Sequence, residues 1–509
     1  MNLSKRNLKD IDSSHVIVPD GQVFDLPEKV LQFGTGMLLR GLPEYFIDKA
    51  NRMGIFNGRI VVVKSTSQND TVDFDTQDGL YTLCVRGVLN GKNIEENIIN
   101  SSISRVLKAS EEWPQVLQCA HNESLQVIIS NTTEAGIKLM KEDDIYGNPP
   151  TSFPGKLLAF LLKRFDVFKG AEDSGLVIVP TELLPGNGKI LKSIVLELAQ
   201  LKGLDNAFIE WLNSCNYFCN SLVDRIVTGT PEEKIKKEIE DRLGYKDNLL
   251  IVCEVYKLWA IEGNEQVKKI LLFAEADEGI KIKPDIDLYR ELKLRLLNGT
   301  HTLSCGIAFL AGIATVKDGM NDEAMSAYIC TLMKQELAPS VPYEIDDETI
   351  NSFIDAVLDR FRNPHILHHW KNITLNYTQK MNIRCIPLLI NYLKNENEVP
   401  ELFALGFAAY LRFMKVEFRK GNEFYGELDG VQYLLQDEMA EKFLNFWKDS
   451  PLDTVVKNIM NDSSLWGGQL SGLTHFQQSV TEKLFMLMKN GMKSELKKVI
   501  SKKNERDEL

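Results

Sequence analysis

Val30-Leu-Gln-Phe-Gly-Thr-Gly-Met-Leu-Leu-Arg40 decides the fold of the first half of this chain. Its apolar start, Val30 to Phe33, has the composition of a buried strand. Gly34, Thr35 and Gly36 follow at once, and a helical pattern then runs from Met37 to Arg52 and carries Arg40. Glycines at such a junction let the backbone turn tightly and bring N–H groups close to a pyrophosphate, with the helix N-terminus adding partial positive charge. The fingerprint is incomplete, because Leu39 stands where G-x-G-x-x-G has its third glycine.

On either side of that junction the same alternation continues. Arg59-Ile-Val-Val-Val63, Leu125-Gln-Val-Ile-Ile129, Leu176-Val-Ile-Val179 and Leu249-Leu-Ile-Val-Cys253 alternate with helical stretches such as Glu111 to Ala120 and Lys189 to Lys202. This pattern predicts an α/β domain on a largely parallel sheet. The second strand ends at Val63-Lys-Ser-Thr66, where a ribose-binding Asp or Glu is expected. Its absence leaves NAD and NADP both open, since Lys64 and nearby hydroxyls could meet a 2′-phosphate.

From about Asp285 the β-branched runs thin out, and amphipathic segments rich in Leu, Ala, Met and Lys take over, which predicts a mostly α-helical second half. Turn-rich Glu278-Gly-Ile-Lys-Ile-Lys-Pro284 marks the boundary, giving domains 1–284 and 285–509. No low-complexity linker separates them, so a tight interface with a cleft is expected.

The bulk numbers exclude several classes. A net charge of -12 repels phosphate backbones, which argues against a nucleic-acid partner. The Lys-rich run from Lys493 to Lys503 reads as the solvated face of a last helix. No stretch approaches the roughly 18 apolar residues of a membrane span, and the start lacks a signal-peptide core, so a cytoplasmic location is expected. Arg506-Asp-Glu-Leu509 resembles a retention signal that has no entry signal to act with. The cysteines form no Cys-x-x-Cys pair and read as reduced thiols. His365, His368 and His369 have no Cys or acidic partner at ligand spacing, so no metal is expected.

Lys293-Leu-Arg-Leu-Leu-Asn-Gly-Thr-His301 carries the chemistry. On an α-helix, Lys293, His301 and Asn298 fall at about 0°, 80° and 140° around the axis, so all three can face one cleft. Leu296 points elsewhere and can anchor the helix, while Leu294 and Leu297 can keep the site dry. Reduction of a ketone needs a proton donor at the carbonyl oxygen, and a desolvated lysine can serve. An asparagine amide can hold the developing oxyanion, and a histidine can orient a hydroxyl. A snorkelling lysine, a capping asparagine and a core histidine would read the same way.

The K-x-x-x-x-N-x-x-H spacing at Lys293, Asn298 and His301 resembles the signature of the polyol-specific long-chain dehydrogenases, the mannitol dehydrogenase family. Gln32-Phe-Gly-Thr-Gly36 with Arg40, Thr76-Gln-Asp-Gly-Leu-Tyr-Thr82, Ser130-Asn-Thr-Thr-Glu-Ala-Gly136, Leu222-Val-Asp-Arg-Ile226 and Arg360-Phe-Arg-Asn-Pro364 are similar to its sugar-acid branch. The resemblance implies a Rossmann-type N-terminal domain that binds NAD through Phe33, Gly34, Thr35, Gly36 and Arg40, a helical C-terminal domain, and a site between them that needs no metal.

It further implies that Lys293 is the general acid and base and that two asparagines polarise the carbonyl. The second best matches Asn187 in Leu184-Pro-Gly-Asn-Gly188; Glu182-Leu-Leu-Pro185 stands where mannitol-type members have Asp-Asn-Leu-Pro. Asp224 corresponds to a cofactor-side acid, although a carboxylate buried against Arg225 for structural reasons fits as well. Lys380 and Arg384 fall where the family places substrate-contacting cations, which suits the carboxylate of a hexuronate such as D-tagaturonate. Fructuronate or a polyol is the alternative substrate, and a catalytically silent scaffold the alternative of another class.

Overall fold

The computed structural model describes residues 1–65, 71–132, 136–396, 398–448 and 450–507, with side chains as far as 501. The chain divides into two compact units, Met1–Ile286 and Asp287–Leu509. The turn-rich segment ahead of the boundary contains a strand, Ile280–Lys283, which pairs with Leu258–Glu262 and so belongs to the first unit.

In that unit the first eight strands are β1 (Glu28–Phe33), β2 (Arg59–Lys64), β3 (Tyr81–Leu89), β4 (Lys92–Asn100), β5 (Ile103–Lys108), β6 (Val127–Ser130), β7 (Val177–Pro180) and β8 (Tyr217–Phe218). Six of them form a parallel sheet in the order β5-β2-β1-β6-β7-β8. Its strands are near-continuous apolar runs because both faces are covered. Alternate side chains feed two cores, Val30, Val62 and Ile129 on one face and Leu31, Val63 and Ile128 on the other. Strand order reverses between β1 and β6, and the crevice at a parallel sheet's carboxyl edge opens at such a switch point.

Two expectations are corrected. The Leu249–Cys253 run lies outside this sheet: its strand, Ile251–Glu254, pairs with β3 and with Val227–Gly229 in a separate four-stranded sheet. A β-branched run announces a strand and not its partner. The helix expected from Met37 to Arg52 is two helices, α1 (Met37–Gly41) and α2 (Pro43–Arg52), broken at Leu42 (φ -132°, ψ -76°). Pro43 has no N–H for the Leu39 carbonyl, and its ring forces the preceding residue out of the helical region.

The second unit is helical around one apolar core, with a three-stranded antiparallel sheet at residues 418–435 that its composition did not announce. Helix Glu401–Phe413 is buried on almost every side and packs closely on helix Asn298–Leu310. The absent Cβ of Gly406 permits this, since one built there would lie 2.9 Å from the Leu303 carbonyl. The Lys-rich run falls on the last helix, Met492–Asp507, and its side chains beyond 501, with residues 508–509 of the retention-like end, lie outside the described residues. Among the described residues no helix is long and apolar enough to cross a membrane.

Candidate functional site

At the end of β1 the Phe33 side chain is core, packed on Phe153 with ring centroids 5.3 Å apart, and only its backbone reaches the turn, where its carbonyl accepts from the Asn131 N–H at 3.1 Å. Gly34 has φ +127°, and a Cβ there would lie 2.9 Å from Leu39 Cδ1 and 3.1 Å from the Asn131 carbonyl. Leu39, in place of the third glycine, is thus the floor of the turn. Among the described residues, the Thr35 and Gly36 N–H groups donate to no acceptor.

Arg40 is not poised over that turn. Its buried guanidinium donates to the Leu249 carbonyl at 2.7 Å and lies by the rings of Phe74 and Tyr81, so it braces the turn from below.

The neighbouring strand ends are held by Glu182, which accepts from the Thr132 N–H at 2.8 Å, the Thr132 hydroxyl at 3.0 Å and the Ser130 hydroxyl at 3.2 Å. Residues 133–135 of the Ser130 to Gly136 segment, and Thr66 at the end of the second strand run, lie outside the described residues. Lys64 is buried at the end of β2. Asp224 is buried at the end of strand Ser221–Asp224, while Arg225 donates to the carbonyls of Glu254 (2.9 Å) and Gly41 (2.6 Å).

Asn187 is placed differently from its expected role. Its Nδ2 lies 3.0–3.1 Å from the carbonyls of Pro180, Glu182 and Ser221, and its Oδ1 accepts the N–H groups of Gly188 and Ser221 at 2.9 Å. Both amide hydrogens are engaged, so none is left for an oxyanion. Here Asn187 is a fully buried staple between helix Asn187–Leu201 and the ends of two strands.

In the second unit, the segment expected as one α-helix contains a π turn at Lys293–Leu297, and the Asn298 N–H donates to the Lys293 carbonyl. That i→i+5 bond inserts one residue, moving everything downstream back by about 100°. Asn298 then falls at about 40° and His301 at about -20° from Lys293, a tighter arc than α geometry allows. Leu296 and Leu297 are both buried.

A second π turn, Met381–Cys385, carries Arg384, with Lys380 immediately ahead. Pro387 deprives the Ile383 carbonyl of its usual donor. Arg295 supplies one, donating to the Ile383 carbonyl and, at 3.2 Å, to that of Arg384, while Glu291 holds Arg295 at 2.9 Å. The two unusual turns are thereby clamped together.

Around them, Arg384 Nη1 lies 3.3 Å from Thr302 Oγ1, which donates to the Asn298 carbonyl at 2.7 Å. Among the described residues the Asn298 amide makes no side-chain hydrogen bond. Lys380 is half-buried, with its Nζ 2.9 Å from the Ile373 carbonyl. The His301 ring stacks on Phe361 at 4.2 Å and meets His368 and Trp370 edge-on at 5.1 and 5.9 Å. Among the described residues its buried Nε2 has no hydrogen-bond partner.

Burial holds the His301 imidazole well below its ordinary range, and His368, Arg360, Arg384 and Lys380 push it the same way. His301 is therefore neutral, with Arg360, Arg384 and Lys380 among the charges that act on it. Burial and Arg384 likewise lower Lys380. Among the described residues no three His, Cys, Asp or Glu side chains are grouped to hold a metal ion, and His368 faces His301.

Sequence reasoning had no role for Glu182 beside the glycine turn, or for Thr302, Arg360 and His368 around Asn298 and His301. Thr302 could have been found, lying one helical turn after Asn298. Glu182, Arg360 and His368 stand in segments that the sequence singled out for other reasons, and nothing local assigns them these contacts.

The chain matches the mannitol dehydrogenase Rossmann domain over residues 28–272 and the mannitol dehydrogenase C-terminal domain over residues 285–488. It is 37% identical over 474 residues to the altronate oxidoreductase of Bacillus subtilis, covering 92% of this chain and 95% of that one. It is 35% identical over 485 residues to the altronate oxidoreductase of Halalkalibacterium halodurans, covering 94% of each. Pseudomonas fluorescens mannitol 2-dehydrogenase, solved as a ternary complex with NAD and D-mannitol, has the same fold, with a TM-score of 0.65 at 22% identity over 99% of this chain and 100% of that one.

Proposed function

The chain belongs to the mannitol dehydrogenase family, and on that premise we propose that it is an NADH-dependent reductase of hexuronates, interconverting D-tagaturonate and D-altronate. The observation that supports this reading is the π turn, whose i→i+5 bond brings Lys293, Asn298 and His301 within a narrow arc in helix geometry, with Lys380 and Arg384 among the charges acting on His301.

The Gly34–Gly36 turn fits a dinucleotide, because its Thr35 and Gly36 N–H groups have no acceptor among the described residues and Gly34 leaves no room for a side chain. NADH bound there supplies the hydride. Phe33 contributes backbone only, Arg40 braces the turn, and Asp224 is the cofactor-side acid.

In the reducing direction, the Lys293 ammonium gives its proton to the carbonyl oxygen as the C–H bond forms, and is reprotonated from solvent. The Asn298 amide donates to the oxygen while its negative charge develops. Neutral His301 offers Nε2 to a substrate hydroxyl, which satisfies an otherwise costly buried group. Lys380 and Arg384 meet the carboxylate, and this pair of cations favours an anionic substrate over a neutral polyol. Lys293 does the work of a Lewis acid, so the reaction is metal-independent in this reading. The eight free cysteines suit a reducing, cytoplasmic compartment.

The test follows NADH oxidation at 340 nm by chelator-treated protein with tagaturonate, fructuronate and fructose, repeated with NADPH. Fast turnover of tagaturonate with NADH supports the reading. Preference for fructuronate or fructose keeps the family and overturns the substrate; loss of activity on chelation overturns the metal-free chemistry.

A further inference from the structure

Glu44, completely buried in the second residue of α2, touches no part of the chemistry described so far. Its Oε1 accepts from Gln32 Nε2 at 2.7 Å, and the same nitrogen reaches the Gly34 carbonyl at 3.1 Å. Its Oε2 lies 2.7 Å from Tyr81 Oη, which also lies 2.8 Å from the Arg40 carbonyl. Through Gln32 and Tyr81, one carboxyl group therefore links the Gly34 carbonyl at the start of the turn to the Arg40 carbonyl in the helix that follows it.

The protons in this network can be counted. Gln32 Nε2 has two hydrogens, one for Gly34 and one for Glu44. Tyr81 has a single hydroxyl hydrogen, and the Arg40 carbonyl can only accept. Both Tyr81 contacts are hydrogen bonds only when Tyr81 donates to Arg40 and Glu44 donates to Tyr81. Complete burial, which raises the Glu44 carboxyl, acts in the same direction.

Resting on the cofactor reading above, we propose that Glu44 is a positioning residue for the dinucleotide, a neutral carboxylic acid that accepts from Gln32 and donates to Tyr81. The consequence follows from peptide geometry. The Gly34–Thr35 peptide is planar and trans, so its C=O and N–H point in opposite directions. Pinning the Gly34 carbonyl toward Gln32 aims the Thr35 N–H the other way, as a donor fixed in advance for a pyrophosphate oxygen.

The experiment is titration of the full-length protein with NADH alone, without sugar, followed by calorimetry, on wild type, Glu44→Gln and Glu44→Leu. A glutamine reproduces the neutral acid, accepting from Gln32 and donating to Tyr81, so Glu44→Gln should bind NADH within about twofold of wild type. Glu44→Leu loses both bonds and should bind about tenfold more weakly, as expected for one or two hydrogen bonds, with kcat at saturating NADH little changed. A Gln variant as weak as the Leu variant, or a folded Leu variant that binds like wild type, overturns the proposal. If Glu44→Leu fails to melt cooperatively, Tyr81→Phe is read the same way: binding threefold weaker supports the network, and unchanged binding overturns it. Wild type that binds no NADH overturns the cofactor reading, and this proposal with it.

Discussion

The Asn298 N–H donates to the carbonyl of Lys293, five residues earlier, so the helix makes one wide turn between the two side chains that would handle a substrate carbonyl. Single π turns inside α-helices recur at functional sites because they re-aim side chains without breaking the helix. Here the turn persists because Arg295 spans from its midst to the carbonyls of Ile383 and Arg384.

The two asparagines are expected to behave differently. Asn298→Ala should lower kcat by about 10²–10³-fold with an unchanged melting temperature, as for loss of an oxyanion donor. Asn187→Ala strands buried backbone groups and should cost about 2–4 kcal/mol of stability, read by denaturant titration. An Asn187→Ala protein that melts like wild type yet loses turnover as Asn298→Ala does would restore Asn187 to the oxyanion.

Arg384→Met should raise KM for tagaturonate about 10–100-fold, as for loss of a charge-assisted contact to a carboxylate, and leave KM for fructose nearly unchanged. Steady-state kinetics on the two substrates decide it. Equal losses on both would remove the carboxylate contact.

Stability should depend on pH through His301. Its folded value lies below the ordinary 6.5, so as pH falls through that point the unfolded chain takes up a proton that the folded chain refuses. Stability is complete above about pH 6.5 and is lost below it, by at most about 1.4 kcal/mol per pH unit. His301→Gln should therefore show a shallower fall in melting temperature between pH 7 and pH 5; parallel curves would show that His301 is not the group responsible.

The parts of this protein that sequence made legible are local. Val30 to Gly36 announces a strand and a glycine turn because the residues that make them are adjacent, and the change in character near Asp285 announces the second unit. What was hidden depends on distant partners. The π turn relies on Arg295 meeting a carbonyl orphaned by Pro387, and the basic surroundings of His301 are assembled from Arg360, His368, Lys380 and Arg384. Asn187 shows the limit from the other side: an asparagine before a glycine after a strand fits an oxyanion donor and a backbone staple equally, and only the hydrogen bonds around it tell them apart.

The most direct test of the account is the turnover number of Lys293→Ala with tagaturonate at saturating NADH, with and without added methylamine. Loss of the proton donor predicts a fall of about 10²–10⁴-fold, with folding and NADH binding intact and turnover partly restored by the amine. Turnover equal to wild type in the folded variant would contradict it and remove Lys293 from the chemistry.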